Sequence, residues 1–183
     1  MNLEDLKFDC ALKQKKGLHF ILTSVIIWFA ILIVYSLPIN ILTKNLFTFC
    51  CTAPLLPISY IISKVLKVDF QNKSNPLTNL GLLFSVNQII YLLIAMWIYR
   101  TVPEKMLMVI AIIFGAHLMP YSWLYKSKTY FVLSIIIPIT ALIVGLSFKP
   151  TILAIVMILI EITFCISLIL ENKSLSNSYT EQI

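Results

Sequence analysis

The chain has 183 residues, of which 60% are hydrophobic and 12% are charged, and it carries a formal net charge of +6. A soluble domain of this length needs far more charge to cover its surface, so the composition excludes an ordinary soluble protein. Nothing in the sequence resembles a nucleic-acid-binding module. The positive charge is better explained by membrane topology and by contact with anionic membrane lipids.

Apolar runs of about twenty residues recur along the chain, and each is long enough to cross the ~30 Å hydrocarbon core of a bilayer. Each run predicts an α-helix, because an open strand in lipid would leave backbone N–H and C=O groups unpaired. The runs also lack the alternation of barrel strands. The sequence therefore predicts an all-α membrane protein, a bundle of six transmembrane helices with short loops. The predicted spans are 18–37, 45–66, 78–99, 104–125, 129–148 and 151–170.

These spans are expected to form one transmembrane domain over residues 1–171, followed by a polar C-terminal tail over residues 172–183 that we expect to be frayed. We expect the N-terminal segment not to be a cleavable signal, because the apolar run that follows it is too long and ends without a small-residue cleavage site. Residues 2–16 are expected to form a short interfacial helix. The first span then stays in the membrane as an anchor.

Two prolines lie inside the second span, at Pro54 and Pro57, and another interrupts the fourth span at Pro120. Proline removes a backbone hydrogen bond, so each of these spans should be kinked. The second span could also be broken. We favour an ordinary kinked helix there, since membrane helices tolerate proline.

Basic residues are distributed unevenly between the two sides of the predicted bundle. If the N-terminus is inside, the inner segments hold ten of the Lys and Arg residues and the outer segments hold four, Lys44, Arg100, Lys105 and Lys149. The positive-inside rule therefore predicts that both termini are cytoplasmic.

Four stretches of the chain, taken together, resemble a family of small bacterial membrane proteins known only as a domain of unknown function. They are KQKKGLHFIL, NPLTNLGLLF, VPEKMLMV and FGAHLMPYSWLYKSK, and the resemblance extends to about residue 171. It implies a multi-pass protein of the bacterial cytoplasmic membrane. It supplies no activity, no catalytic residue and no cofactor.

Polar residues inside the spans are the only sequence feature that bears on function. At ~1.5 Å per residue, Glu161 lies near the bilayer centre, with Asn87 and Gln88 at a similar depth, and His117 lies somewhat toward the cytoplasmic side. A charged residue within the membrane is costly unless it is paired, protonated or hydrated, so Glu161 must face the bundle interior. The ligand- or proton-binding candidates are Glu161, His117, Asn87, Gln88, Tyr91 and Tyr121, and Ser85 could join them.

Each of these residues also has a structural interpretation. Asn87 and Gln88 could hydrogen-bond neighbouring helices for ~1 kcal/mol or less, without any functional role. His117 could be satisfied by a backbone carbonyl that Pro120 exposes. Glu161 favours the functional interpretation, because joining helices does not require an ionisable group.

Two classes of function compete. A central cavity lined by the candidate residues could bind or transport a small polar or cationic solute, coupled to a proton on Glu161, because burial favours the neutral form of a carboxyl group. An accessory or immunity-type protein would instead act through helix contacts, with a filled core. The sequence determines neither the oligomeric state nor whether a partner subunit is required.

An intramembrane enzyme is the weakest hypothesis. Metal hydrolases need about three converging ligands, and the two histidines lie at different depths. The HExxH and GxSxG motifs are absent from the sequence. We therefore predict no catalytic residue, no metal site and no cofactor. We do predict that His117 and Glu161, on two spans that run in the same direction, share one buried polar network that faces a cavity open to the cytoplasm.

Overall fold

The computed structural model describes residues 2–180, and this part of the chain folds into helices joined by short turns and loops. No strand occurs among the described residues. Two short 3-10 turns, Lys15–Gly17 and Pro103–Lys105, precede long helices. The α-helices in chain order are α1 (Leu3–Lys13), α2 (Leu18–Ser36), α3 (Ile41–Thr52), α4 (Leu55–Val65), α5 (Leu77–Thr101), α6 (Met106–His117), α7 (Met119–Leu124), α8 (Lys128–Ser147) and α9 (Pro150–Thr180).

The six predicted spans are confirmed as six apolar helical segments in the described residues, each long enough to cross a membrane. They are Lys15–Ser36, Ile41–Val65, Leu77–Thr101, Pro103–Leu124, Lys128–Ser147 and Pro150–Asn177. The chain is therefore an all-α, multi-pass membrane protein.

Two of the spans are interrupted at proline. The second span is not the ordinary kinked helix that we favoured, because α3 ends at Thr52 and α4 begins at Leu55. Pro54 lies between them and lacks the N–H that would continue the helical hydrogen bonding. The fourth span is divided in the same way, since α6 ends at His117 and α7 carries Pro120 in its first turn.

The predicted N-terminal helix forms as α1, but it docks on the bundle. Asn2 caps it through a hydrogen bond that its side chain accepts from the Asp5 N–H. Cys10 and Ala11 are buried, and the Lys7 ammonium lies 3.7 Å from the centre of the Trp123 ring. The opposite end of the chain is more regular than expected, because α9 continues to Thr180 and residues 172–180 are helical instead of frayed.

The helices contribute unequally to the core. The first span, which contains α2, packs closely against α9, and α6 packs against α8. Of the 18 most apolar consecutive residues in each span, 56% are buried in the first span but only 6% in α5. Helix α5 therefore lies at the edge of the bundle, where it contacts mainly α6 and α7.

Candidate functional site

Glu161 is completely buried, on the face of α9 that packs against α2. Its Oε2 is hydrogen-bonded to Ser24 Oγ, and its Oε1 has no partner among the described residues. Ser24 Oγ also lies 2.8 Å from the backbone oxygen of Ile21. A hydroxyl group has one hydrogen, so if Ser24 donates it to Ile21, the hydrogen between Ser24 and Glu161 must come from the carboxyl group. The geometry therefore fits a neutral, protonated Glu161.

The surroundings of Glu161 are aromatic and closely packed. Tyr130 lies near enough to Glu161 for an electrostatic interaction, and the Tyr130 ring meets Phe164 edge-on at 4.8 Å between ring centres. Phe164 and Met157, one turn after and one turn before Glu161, are also fully buried. Two pockets in the described residues, one lined by Lys15 and Lys173 and the other by Phe49 and Leu93, do not include Glu161. The group is thus enclosed, in contact with helix α2.

His117 is satisfied within its own helix. Its Nδ1 is hydrogen-bonded to the backbone oxygen of Phe114. That oxygen is available because α6 ends here, where the Leu118 N–H bonds to Gly115 at 3.2 Å instead of continuing the α-helical pattern. The end of α6 therefore supplies His117 with a backbone acceptor, but this acceptor is Phe114 and not the Ala116 oxygen that the missing N–H of Pro120 would leave free.

Tyr121 joins the third and fourth spans. Its hydroxyl donates to the backbone oxygen of Gly81 at 2.9 Å and lies 2.7 Å from Ser85 Oγ. Its ring stacks on Tyr125 and meets His117 edge-on, with 5.9 Å between ring centres in both pairs. Ser85 and Tyr121 are the two candidate residues that hydrogen bonds bring together.

The remaining candidates on α5 do not join Glu161 in one layer. Asn87 and Tyr91 are exposed on the outside of the bundle, and Gln88 is half-buried. This corrects the expectation that they line a central cavity. The physical reason is that α5 packs at the edge of the bundle, so most of its surface faces outward.

The predicted hydrogen-bonded network between His117 and Glu161 is not formed either. His117 bonds to Phe114 and Glu161 bonds to Ser24. A chain of aromatic rings, from His117 through Tyr121 to Tyr130, is the packing that lies between them. The two residues therefore belong to different polar groups.

A second polar cluster, which sequence reasoning missed, lies at the predicted cytoplasmic end of the bundle. Lys16 Nζ and Glu171 Oε2 form an ion pair at 2.7 Å, and the Lys16 side chain is only 8% exposed. Glu171 Oε1 accepts from the Thr129 N–H at 3.0 Å and from its hydroxyl at 2.7 Å. Glu171 thus ties the segment before α2 and the start of α8 to α9. We call Lys16, Glu171 and Thr129 the inner clamp.

The turn that carries Lys16 has an unusual backbone. Lys15, Lys16 and Gly17 are consecutive residues with positive φ angles of 46°, 49° and 70°. The left-handed region is unfavourable for residues with a Cβ atom, so two successive lysines there need support from surrounding contacts. The Tyr130 hydroxyl gives such support by donating to the Lys16 backbone oxygen at 2.9 Å. This turn directs Lys16 inward, toward Glu171.

Gln14 and Tyr125 extend this end of the bundle toward α5. The Tyr125 hydroxyl donates to Gln14 Oε1 at 2.9 Å, and Gln14 Nε2 lies 3.5 Å from Thr78 Oγ1. Burial raises the pKa of Tyr125 well above its usual range, so its hydroxyl stays a donor. The sequence signal for this region is the set of charged and amide residues next to the span ends, of which the lysines alone enter the prediction of topology.

Among the residues that the structure describes, no group of three His, Cys, Asp or Glu side chains converges so that it could hold a metal ion. The polar groups available for binding at the site are therefore one enclosed carboxyl group, a largely buried ion pair and several tyrosine hydroxyls. Such groups can bind protons and polar solutes.

Comparison with known proteins gives a family and no activity. The model of a family of unknown function, DUF7010, matches residues 3–171. No curated protein and no solved structure matches the chain. Because the family model covers almost the whole chain, from α1 to the inner part of α9, the protein belongs to the family of unknown function DUF7010.

Proposed function

We propose that the protein binds or transports a small polar solute and that Glu161 carries a proton coupled to this step. One observation carries the proposal: a carboxyl group is completely buried between two spans, with one oxygen bonded to Ser24 and the other without a partner among the described residues. A polar group without a partner is costly in an apolar interior. Evolution keeps an ionisable group in a membrane interior mainly where protons or ions are handled.

The solute approaches from the cytoplasmic side. A groove of ≈ 320 Å³ lies between the α1–α2 turn, the end of α4 and α9, close to the inner clamp. Lys15 and Lys173 line it together with Asn172, above a floor of leucine and isoleucine side chains. Two lysines favour a polar or anionic solute, so the cationic solutes that the sequence also allowed fit this groove poorly.

Transport in a reconstituted system tests the proposal. Purified protein in liposomes is screened for uptake of small polar and anionic solutes with and without an acid-outside pH gradient. Wild type should show gradient-driven uptake, and Glu161→Gln should lose the dependence on pH between about pH 5 and 8 while it still folds. Thr163→Val is the matched control, because Thr163 is exposed on the same helix and bonds only to its own helix. Equal uptake by wild type and Glu161→Gln across this range would contradict the proposal.

The proposal includes an orientation in the bacterial cytoplasmic membrane with both termini inside. Single cysteines introduced as Asn2→Cys, Asn40→Cys and Thr180→Cys test it with a membrane-impermeant thiol reagent in intact cells. Only the cysteine at position 40, in the turn between α2 and α3, should react above the level of the native cysteines. Reaction at either terminus would overturn this orientation.

An accessory protein that acts through helix contacts is the second candidate, and two observations favour it. The outward surface of α5 is exposed, and the closely packed surroundings of Glu161 are the filled core expected of such a protein. In that case, substitutions on the outward face of α5 would abolish the protein's effect in cells, whereas Glu161→Gln would leave the effect unchanged. The two candidates therefore predict opposite outcomes for the same two sets of variants.

A further inference from the structure

The outward face of α5 carries a stripe with the spacing of a helix-pairing seam. Residues 83, 87, 90, 94 and 97 follow one another at intervals of four, three, four and three, which is the heptad pattern of two helices packed side by side. The apolar members, Leu83, Ile90, Ile94 and Trp97, are between 50% and 66% exposed, and Asn87 is exposed as well. We call these five residues the α5 stripe.

The α5 stripe lies opposite the surface by which α5 joins the bundle. Gly81, Ser85 and Ala95 belong to the inward surface, where Ser85 meets Tyr121 and Ala95 is completely buried. The stripe begins two residues after Gly81, and two residues correspond to a rotation of about 200° around a helix. The helix can therefore keep all its contacts with α6 and α7 while a second helix covers the stripe.

Asn87 gives the stripe its specificity. Its side-chain amide has no hydrogen-bond partner among the residues that the structure describes, and it lies about ten residues into the span, near the bilayer centre. Lipid tails offer neither donors nor acceptors, so the amide needs a polar group from another helix at the same depth. The other four members of the stripe are apolar, so they present no charge that would repel a partner helix.

We propose that the α5 stripe pairs with the α5 stripe of a second copy of this chain, with Asn87 bonded to Asn87 across a two-fold axis normal to the membrane. An amide both donates and accepts, so two asparagines satisfy each other. Two copies inserted in the same orientation bring their α5 helices together in parallel, and each Asn87 then meets its equivalent at the same depth. An isologous interface requires this self-complementarity, and a single asparagine in an apolar seam is a known determinant of register and partner number.

Disulfide cross-linking in native membranes is the first test. Ile94→Cys places a thiol on the stripe, and Ile143→Cys is the matched control because Ile143 is also exposed, at 58%, but on α8. Oxidation should convert Ile94→Cys to a covalent dimer several-fold more completely than Ile143→Cys or the wild type with its native cysteines. Equal cross-linking of the two variants would overturn the proposal, and so would an adduct of Ile94→Cys with a protein of a different mass.

Dilution of the protein in lipid is the second test, and it measures how much Asn87 contributes to pairing. Fluorescence energy transfer between labelled copies, measured as the protein-to-lipid ratio falls, gives the dimer dissociation constant. Asn87→Leu should weaken the dimer about 3- to 10-fold, and Asn87→Gln, which keeps an amide, should weaken it less. Gln88→Leu is the control, because it removes the adjacent amide, which lies outside the stripe, and should leave the constant unchanged. A wild type that is monomeric at every ratio, or an Asn87→Leu variant that pairs as well as wild type, would refute the assignment.

Discussion

Helices α9 and α5 both carry a polar residue in the middle part of an apolar span, but one of these residues is buried and the other is exposed. Glu161 on α9 is completely buried and bonded to Ser24 of α2. Asn87 on α5 is exposed, with no partner among the described residues. The sequence shows where along its span a polar residue lies, whereas the direction in which the residue points depends on how its helix packs.

The difference between the two helices follows from what each presents to its neighbours. Helix α9 packs against α2, α8 and α6, and its residues Leu153, Ala154 and Met157 are almost completely buried, so it lies deep in the bundle. Helix α5 is covered with leucine, isoleucine and other large apolar residues on nearly every side. Lipid accepts such residues as readily as a protein core does, so an apolar helix gains little by turning a particular side inward.

Removing a tryptophan from each of the two regions should give the largest contrast in stability. Trp28 on α2 is 3% exposed, and Trp97 on α5 is 66% exposed. Trp28→Ala should lower the free energy of unfolding by about 3–5 kcal/mol, since it leaves a cavity in the core, whereas Trp97→Ala should cost less than about 1 kcal/mol in monomeric protein. Unfolding in detergent under dilute, monomeric conditions measures both values. Similar losses for the two variants would show that α5 packs more tightly than the structure indicates.

The inner clamp should give the next largest effect. Glu171→Ala leaves the Lys16 ammonium buried without its counter-ion, and breaking such a pair costs several kcal/mol. Because Glu171 is 23% exposed at its side chain, we expect about 2–3 kcal/mol in this case. The measurement is again unfolding in detergent.

Lys173→Ala is the matched control for the clamp, because Lys173 is exposed on the same helix two residues further on. Its loss should change the free energy of unfolding by no more than about 0.5 kcal/mol. A loss from Lys173→Ala equal to that from Glu171→Ala would mean that the clamp contributes only surface charge. Combining Lys16→Met with Glu171→Ala should recover part of the loss, since no buried charge then remains.

The sequence predicted the six spans because length and apolarity in lipid leave few alternatives to a helix. It also predicted that Glu161 faces the interior, since a carboxyl group has no favourable position against lipid. It did not predict the outward position of Asn87, because an amide costs far less in lipid than a charge and α5 has no distinct apolar side. The break between α3 and α4 was weighed but not favoured, since Pro54 alone is compatible with a kink or a break.

The inner clamp could not be predicted for a different reason. Lys16 and Glu171 lie far apart in the chain, and each looks like an ordinary charged residue at the end of a span. Their pairing depends on the left-handed turn at Lys15, Lys16 and Gly17, and only the glycine in that turn indicates positive φ. A motif with two lysines in this conformation has no signal in single-sequence propensities.

Asp9 anchors the segment just before α5, and its removal should have a smaller and more local effect. Its carboxylate contacts Lys13 Nζ at 2.7 Å and accepts from the side-chain amides of Asn72 at 3.1 Å and Asn75 at 2.8 Å. Asn75 Oδ1 in turn accepts from the Leu77 N–H at the start of α5. We therefore expect Asp9→Ala to lower the local stability of residues 72–80 by about 1–2 kcal/mol, as measured by hydrogen exchange. The exchange of α2 and α9 should be unchanged.

The pH dependence of this anchor has a defined sign. Burial opposes ionisation of Asp9, but Lys13 and the two asparagine amides outweigh it, and the pKa is lowered from its usual value. A lowered pKa in the folded protein means that the stabilisation is present at neutral pH and is lost as pH falls through that pKa. Protection factors over residues 72–80, corrected for the intrinsic pH dependence of amide exchange, should therefore fall in acid in wild type and stay constant in Asp9→Ala. A parallel fall in both would assign the effect to another group.

The smallest expected change in stability is at Glu161 itself, and its size reports the protonation state of the carboxyl group. If Glu161 is neutral and donates to Ser24 while Ser24 donates to Ile21, Glu161→Gln replaces one donor with another of nearly the same shape and should cost less than about 1 kcal/mol. If the group were ionised, the substitution would remove a charge-assisted hydrogen bond, and the free energy of unfolding would change by about 1.5–3 kcal/mol. Ser24→Ala is the reference variant: it leaves both carboxyl oxygens without a partner and should cost about 1–3 kcal/mol, more than Glu161→Gln. The reverse order of the two variants would exclude a neutral Glu161, and with it the proton that the proposed mechanism requires.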